Sequence, residues 1–244
     1  MRWIIGDIHG CVRELDDLLR KIRFDPASDE LWCTGDIVNT GPDSLRALSL
    51  WLEAGGRSVI GNHDAYALLA RSGAAPRRKD RLEELFESER CDELLGVLRA
   101  FPVMARLERE AKPGVVRLVH AGLHPEWKEL DEIAERVDSM VHDDEWLQSD
   151  DVQFMTRVRC CDVKGERIRF VGRPEDAHPP YREWDAFYKG SDLIVHGHWA
   201  MRGYYRGERT LGLDSGCVYG GRLTAWAVDE ERVESVACRE TTGY

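Results

Sequence analysis

Trp3-Ile4-Ile5-Gly6-Asp7-Ile8-His9-Gly10 is an apolar run of strand length that stops at a glycine and hands over to two side chains able to bind a metal ion. Aromatic and β-branched residues favour extended backbone, and the run is too short to make a helix of its own. Asp7 and His9 are two residues apart, so an extended chain points both side chains the same way. Gly6 and Gly10 on either side allow a tight turn and a close approach to a ligand.

The same layout recurs downstream. Leu31-Trp32-Cys33-Thr34 runs into Gly35-Asp36, Ser58-Val59-Ile60 into Gly61-Asn62-His63, Val115–Val119 into His120, and Leu193-Ile194-Val195 into His196-Gly197-His198. Helical spacing separates the first three runs. Val12, Leu15, Leu18, Leu19 and Ile22 mark one helix, and Leu45, Leu48 and Leu52 mark a second over 43–52. The alternation predicts βαβαβ, with polar residues at the C-terminal ends of the strands, where α/β folds build their sites.

Other segments read differently. Residues 65–100 are charged and helical, broken at Gly73-Ala74-Ala75-Pro76, and look like an insertion or cap. Residues 126–154 are acidic and helical in parts, and 173–180 form a proline-rich loop. Near the end, 204–206, 210–213, 222–228 and 233–238 read as hairpin-linked strands. No repeat or linker interrupts the pattern, so one domain is expected over 1–244.

Composition narrows the function. The 34 basic and 45 acidic residues give a formal charge of −11. A general nucleic-acid or anionic-membrane binder needs a basic face, so both classes are set aside. An anionic substrate stays compatible, because bound divalent cations make one cleft locally positive. No run of about 18 apolar residues suggests a membrane span, and the N-terminal stretch reaches charge too early for a signal peptide. Cys11, Cys33, Cys91, Cys160, Cys161, Cys217 and Cys238 form no C-x-x-C pair. Buried free thiols in a reducing cytoplasm are therefore expected. Eight tryptophans imply an aromatic-rich interior.

Asp7, His9, Asp36, Asn62, His63, His120 and His198 all follow strand-like runs. Carboxylate, amide oxygen and imidazole suit Mn²⁺, Fe, Zn²⁺, Co²⁺ or Mg²⁺, and no thiolate is among them. One carboxylate, Asp36, can bridge two ions. A pair held about 3.5–4 Å apart can ionise a water and clamp phosphoryl oxygens. A histidine beside the ions can then protonate the leaving oxygen. Singly, each fragment has a plainer reading: an Asp after Gly commonly caps the next helix, and a lone His is commonly a packed residue. Five separate fragments with complementary ligand types carry more weight than any one.

Gly6-Asp7-Ile8-His9-Gly10, Gly35-Asp36-Ile37-Val38, Gly61-Asn62-His63-Asp64, His120-Ala121-Gly122 and Gly197-His198 together resemble the signature set of the phosphoprotein phosphatase-type, calcineurin-like metallophosphoesterases. The branch most resembled is that of the bacterial symmetrical diadenosine tetraphosphatases. Its likeness extends to Gly41-Pro42-Asp43-Ser44-Leu45, His124-Pro125-Glu126-Trp127, Phe154-Met155-Thr156-Arg157-Val158-Arg159 and Leu213-Asp214-Ser215-Gly216-Cys217. The resemblance implies a β-sandwich flanked by helices in four layers, αββα, around two divalent ions, with manganese the expected metal. By motif position Asp7, His9 and Asp36 would hold one ion. Asp36, Asn62, His120 and His198 would hold the other, with His63 as general acid. His196 falls where the family uses no ligand, and His124, His142 and His178 match no motif.

One position departs from the pattern. The family carries Arg in a Val-x-Arg-Gly segment, where it grips phosphate, but here the segment is Val38-Asn39-Thr40-Gly41. A hydroxyl supplies neither the charge nor the bidentate fork. Arg157 and Arg159 are the candidates to replace it, exposed strand positions being their plain alternative. The implied reaction is symmetrical hydrolysis of diadenosine tetraphosphate to two ADP. A protein Ser/Thr (or Tyr) phosphatase acting on a phosphoprotein, and a catalytically dead binding module, are the competing readings. Oligomeric state is not legible.

Overall fold

Side chains of β1 (Arg2–Ile5) alternate between two hydrophobic cores, and this alternation sets the layering of the molecule. Trp3 and Ile5 join the core beneath the helices, whereas Ile4 enters a second core shared by two sheets. The computed structural model describes residues 1–76 and 80–239. From β1 the chain passes through α1 (Val12–Ile22) to β2 (Glu30–Cys33), then through α2 (Ser44–Glu53) to β3 (Arg57–Ser58). Both strand pairings are parallel, so the βαβαβ unit expected from the spacing is present. Leu15, Leu18 and Ile22 bury one face of α1, and Ala47, Leu48 and Trp51 one face of α2. Asp43 lies just outside α2 and caps it, its carboxylate accepting from Arg46 N at 2.9 Å.

The third helix, α3 (Asn62–Ser72), starts earlier than the charged pattern suggested. Asp64 accepts from Gly61 N, which closes the first turn and places Asn62 and His63 on it. Short helices α4 (Glu83–Glu87) and α5 (Cys91–Arg99) follow. Residues 77–79 of the expected insertion lie outside the described residues.

The second half supplies β4 (Met104–Glu108), β5 (Val115–Val119), α6 (Leu130–Asp138), α7 (Asp144–Gln148) and α8 (Asp150–Arg157). A two-residue ladder follows, from β6 (Cys160–Cys161) and β7 (Arg182–Glu183). After it come β8 (Leu193–His196), β9 (Tyr205–Arg206), β10 (Thr210–Gly212), β11 (Arg222–Ala227) and β12 (Arg232–Ala237). One sheet has the order β12-β11-β1-β2-β3 and the other β4-β5-β8-β10-β9. Ile4, Trp32 and Trp226 from the first meet Leu107, Val116, Leu118, Val195 and Leu211 from the second. Helices cover the outer faces, giving the four-layer α/β arrangement.

Two expectations are corrected. The closing strands are hairpin-linked only in pairs: β9–β10 and β11–β12 are antiparallel, but β10 and β11 belong to different sheets. A 3₁₀ turn at Cys217–Tyr219 carries the chain across. Arg157 and Arg159 are not strand residues; Arg157 ends α8 and Arg159 follows it. All seven cysteines are free thiols, six of them buried, in line with expectation. Among the described residues, no helix is long and apolar enough to cross a membrane.

Candidate metal centre

Parallel pairing brings one edge of each sheet to a common place. Asp7 and His9 follow β1, Asp36 follows β2 and Asn62 lies beyond β3, while His120 and His198 follow β5 and β8. Each sheet thus contributes part of the set. The loops approach so closely that two glycines are obligatory. A Cβ on Gly61 would stand 2.1 Å from Asp36 Oδ1, and one on Gly197 1.8 Å from Asp7 Oδ1.

Asp36 sits at the centre. Its Oδ2 lies 3.5 Å from His9 Nε2 on one side and 3.4 Å from His120 Nε2 on the other. His9, Asp36 and His63 form one trio whose ligand atoms all lie within 4.8 Å of one another, and Asp36, His120 and His198 form another. Asp7 belongs to neither trio. Its Oδ1 accepts from Thr34 Oγ1 at 2.8 Å and its Oδ2 from His198 N at 2.9 Å.

The ring nitrogens are oriented from behind. His120 Nδ1–H donates to Thr34 O at 2.8 Å and His198 Nε2–H to Arg157 O at 3.2 Å. The opposite nitrogens therefore face inward, as orienting partners of metal ligands require. His9 Nδ1 is buried with no hydrogen-bond partner. Asn62 Oδ1 stands 3.1 Å from His120 Nε2 and 2.7 Å from His198 Nδ1. Asn62 Oδ1 and His198 Nδ1 are both acceptors. A cation among them reconciles the contact; so does turning the amide over, when its NH₂ donates to both rings and to Thr156 O. Hard and borderline donors converging in this way fit divalent ions of the Mn, Fe, Zn, Co or Mg kind.

Electrostatics point the same way. Burial pushes Asp7 well above the usual carboxylate range, and the charges of Asp214 and Asp36 add to it. Burial opposes ionisation of Asp36 too, but His120 and His63 outweigh it and hold that carboxyl well below its usual value. Burial lowers His9 to about 4 and depresses His63 and His198. His120 is the exception, raised to about 9 against its burial by the Asp36 carboxylate. In the metal-free protein a proton on His120 thus fills the place of a cation beside Asp36, and a metal ion must displace it.

Backbone strain gathers here as well. Seven described non-glycine residues have positive φ, and five are His9, Asp36, Asn39, Thr40 and His198. Such conformations cost about 1–3 kcal/mol each and persist where surrounding structure imposes them. The strained pair Asn39 and Thr40 serves His63. Asn39 Oδ1 accepts from Thr40 N (2.7 Å) and Arg81 N (3.3 Å), which fixes the amide so that its Nδ2 donates to His63 Nδ1 at 3.0 Å. Thr40 Oγ1 lies 3.3 Å from the same nitrogen. With Nδ1 accepting, the proton of a neutral His63 ring is on Nε2.

The two candidate arginines part company. Arg157 lines a cavity that opens beside His63. Arg159 donates to Phe170 O and His198 O, each at 3.0 Å, and so holds the His198 loop. His196 lies outside both trios, buried against Trp184. His142 stacks on Trp146 and His124 packs near Phe154, while His178 is exposed. Sequence reasoning gave no role to Asn39, Thr34 or Asp64. Asp64 is fully buried, and its oxygens accept from Asp36 N, Ile37 N, Val38 N and Gly61 N. Its place in Gly61-Asn62-His63-Asp64 was the only available signal.

Comparisons with known proteins agree with this geometry. A family profile described as calcineurin-like phosphoesterase matches residues 2–202. The chain is 37% identical to a symmetrical bis(5′-nucleosyl)-tetraphosphatase of Aromatoleum aromaticum, over 99% of this chain and 98% of that one. It is 34% identical to a protein of the same name from Methylobacillus flagellatus, over 99% and 96%. A solved structure provisionally assigned as a diadenosine tetraphosphatase superposes with a TM-score of 0.73 at 31% identity, covering 97% of this chain and 92% of the other.

Proposed function

Because the chain belongs to the calcineurin-like phosphoesterases, we propose that it is a dinuclear-metal hydrolase that cleaves diadenosine tetraphosphate symmetrically into two ADP. The carrying observation is Asp36 Oδ2, one carboxylate oxygen between His9 on one sheet's loops and His120 on the other's. In this reading Asp7, His9 and Asp36 hold one ion, and Asp36, Asn62, His120 and His198 hold the other. When bound, the ions, with manganese the expected metal, supply the Lewis acidity that ionises the attacking water and neutralises phosphoryl charge.

The protein's own groups do the rest. Water adds to one of the two central phosphorus atoms, and the bond to the bridging oxygen breaks. That oxygen leaves as part of an ADP and needs a proton, which His63 supplies from Nε2 as the imidazolium and so returns to the neutral ring, with Thr40 Oγ1, 3.3 Å from Nδ1, able to accept from the Nδ1–H. Arg157 lines the same cavity as His63, which supports giving it the phosphate chain that Thr40 cannot grip. Ligands drawn from both sheets support reading the chain as one domain. Buried free thiols and a nucleotide substrate fit a cytoplasmic setting.

Incubation of purified protein with manganese and diadenosine tetraphosphate tests the reading. ADP as the sole product is expected. ATP with AMP, or inert nucleotide alongside rapid phosphopeptide turnover, would overturn it, the latter in favour of a protein phosphatase.

A further inference from the structure

We infer that the cavity beside His63 is the seat of the leaving nucleoside diphosphate, with Tyr66 and Tyr219 contributing the aromatic surface for its base. The inference rests on the hydrolase reading above and assigns one half of the substrate to one place. A proton from His63 goes to the oxygen that departs, so the departing half must lie on the His63 side of the cleaved bond.

The cavity starts there. It has a volume of about 480 Å³ and is lined by Asn62 and His63 together with Tyr66, Leu69, Pro76, Asp80, Arg157 and Tyr219. That volume is in the range of a small-ligand site. Its lining combines the two kinds of surface that a nucleotide needs. Asn39, Thr40 and His63 offer polar groups and Arg157 a guanidinium, suited to phosphates. Tyr66, Leu69, Pro76 and Tyr219 supply aromatic and aliphatic surface, suited to a base. The wall is braced: Tyr66 donates from its hydroxyl to Asp80 Oδ2 at 3.0 Å, with Pro76 O at 3.5 Å. Tyr219 projects from the turn that links the two sheets and is 55% exposed, so its ring is available to a ligand.

Inhibition constants for ADP and for inorganic pyrophosphate separate nucleoside contacts from phosphate contacts. Losing one stacking surface costs on the order of tenfold in binding. Tyr219→Ala and Tyr66→Ala should each raise the ADP constant by about that factor, with the pyrophosphate constant unmoved. KM for diadenosine tetraphosphate should rise in parallel, by more than kcat falls. Tyr66→Phe, which keeps the ring, should retain most ADP affinity and guards against a Tyr66→Ala chain that fails to fold; Tyr219, being exposed, carries little folding risk. Unchanged ADP inhibition in folded Tyr219→Ala and Tyr66→Ala enzymes overturns the inference, and so does equal weakening of ADP and pyrophosphate. Failure of the parent enzyme to cleave the dinucleotide at all would instead strike the hydrolase reading.

Discussion

Replacing Asp64 by Asn should damage the metal centre although Asp64 is assigned no metal and no substrate. Its carboxylate has no exposure and accepts four backbone N–H groups, Asp36 N (2.8 Å) and Gly61 N (3.0 Å) on Oδ2, Ile37 N (3.0 Å) and Val38 N (3.3 Å) on Oδ1. An amide keeps one oxygen and turns an NH₂ towards the other two donors. Two buried N–H groups lose their acceptor, at about 1–3 kcal/mol each, and the surviving bonds lose their charge. The expected loss is about 3–5 kcal/mol, a large share of a typical stability of about 5–15 kcal/mol. For a chain of this size that lowers the melting temperature by on the order of 10 °C. Burial and the Asp36 charge raise the Asp64 carboxyl to about 6, so the comparison belongs at pH 8, where it is ionised. Melting in chelator, paired with manganese titration, is the assay. Because the freed loop carries Asp36, metal affinity should fall with stability. An Asp64→Asn protein that melts within about 2 °C of the parent and titrates two manganese ions unchanged would refute the reasoning.

His63→Ala should lose most turnover, at least the roughly 100-fold typical of one general acid, while retaining its metals by elemental analysis; full activity would remove His63 from the chemistry. Thr40→Arg should lower KM for the dinucleotide, since the new guanidinium enters the cavity beside His63; an unchanged KM in folded enzyme would show that Arg157 already fills that role. Asn39→Asp keeps an oxygen for Thr40 N and Arg81 N but sets a carboxylate against His63 Nδ1. That favours the protonated ring, so the alkaline limb of the pH–rate profile should move up by about 1–2 units; an unmoved limb would disconnect Asn39 from catalysis.

What could be read from the sequence was whatever chemistry announces itself locally. Trp3-Ile4-Ile5-Gly6-Asp7 exposes its strand and its site in five residues, because β-branched runs and a glycine stop are short-range signals. The strand β4 gave no such signal: Met104-Ala105-Arg106-Leu107-Glu108 follows Pro102 and ends in no ligand, so only pairing with β5 reveals it. β6 and β7, two residues each, have no periodicity to detect. Asn39 was illegible for a different reason. It acts through a backbone at φ 72° that aims its amide at a residue 24 positions away. The cavity wall was equally hidden, since Tyr66 on α3 and Tyr219 on the Cys217–Tyr219 turn meet it from distant parts of the chain.

The strained residues and the cross-sheet bonds have one explanation. Asp7 follows a strand of the first sheet yet accepts from His198 N, which follows a strand of the second; His120, on the second, donates to Thr34 O on the first. The site is thus also a seam, closed by two hydrogen bonds and by Asp36 Oδ2 facing histidines from both sides. Closing it forces His9, Asp36 and His198 into left-handed backbone, a cost of a few kcal/mol that the packed Ile4, Trp32 and Trp226 interface absorbs. Ions held as proposed would bind the folded chain alone, so their binding energy would add to the cohesion of the two sheets. On the proposed assignment Asp7, Asp36, His120 and His198 would bind the ions and also make the contacts that join the sheets, so altering one role would alter the other.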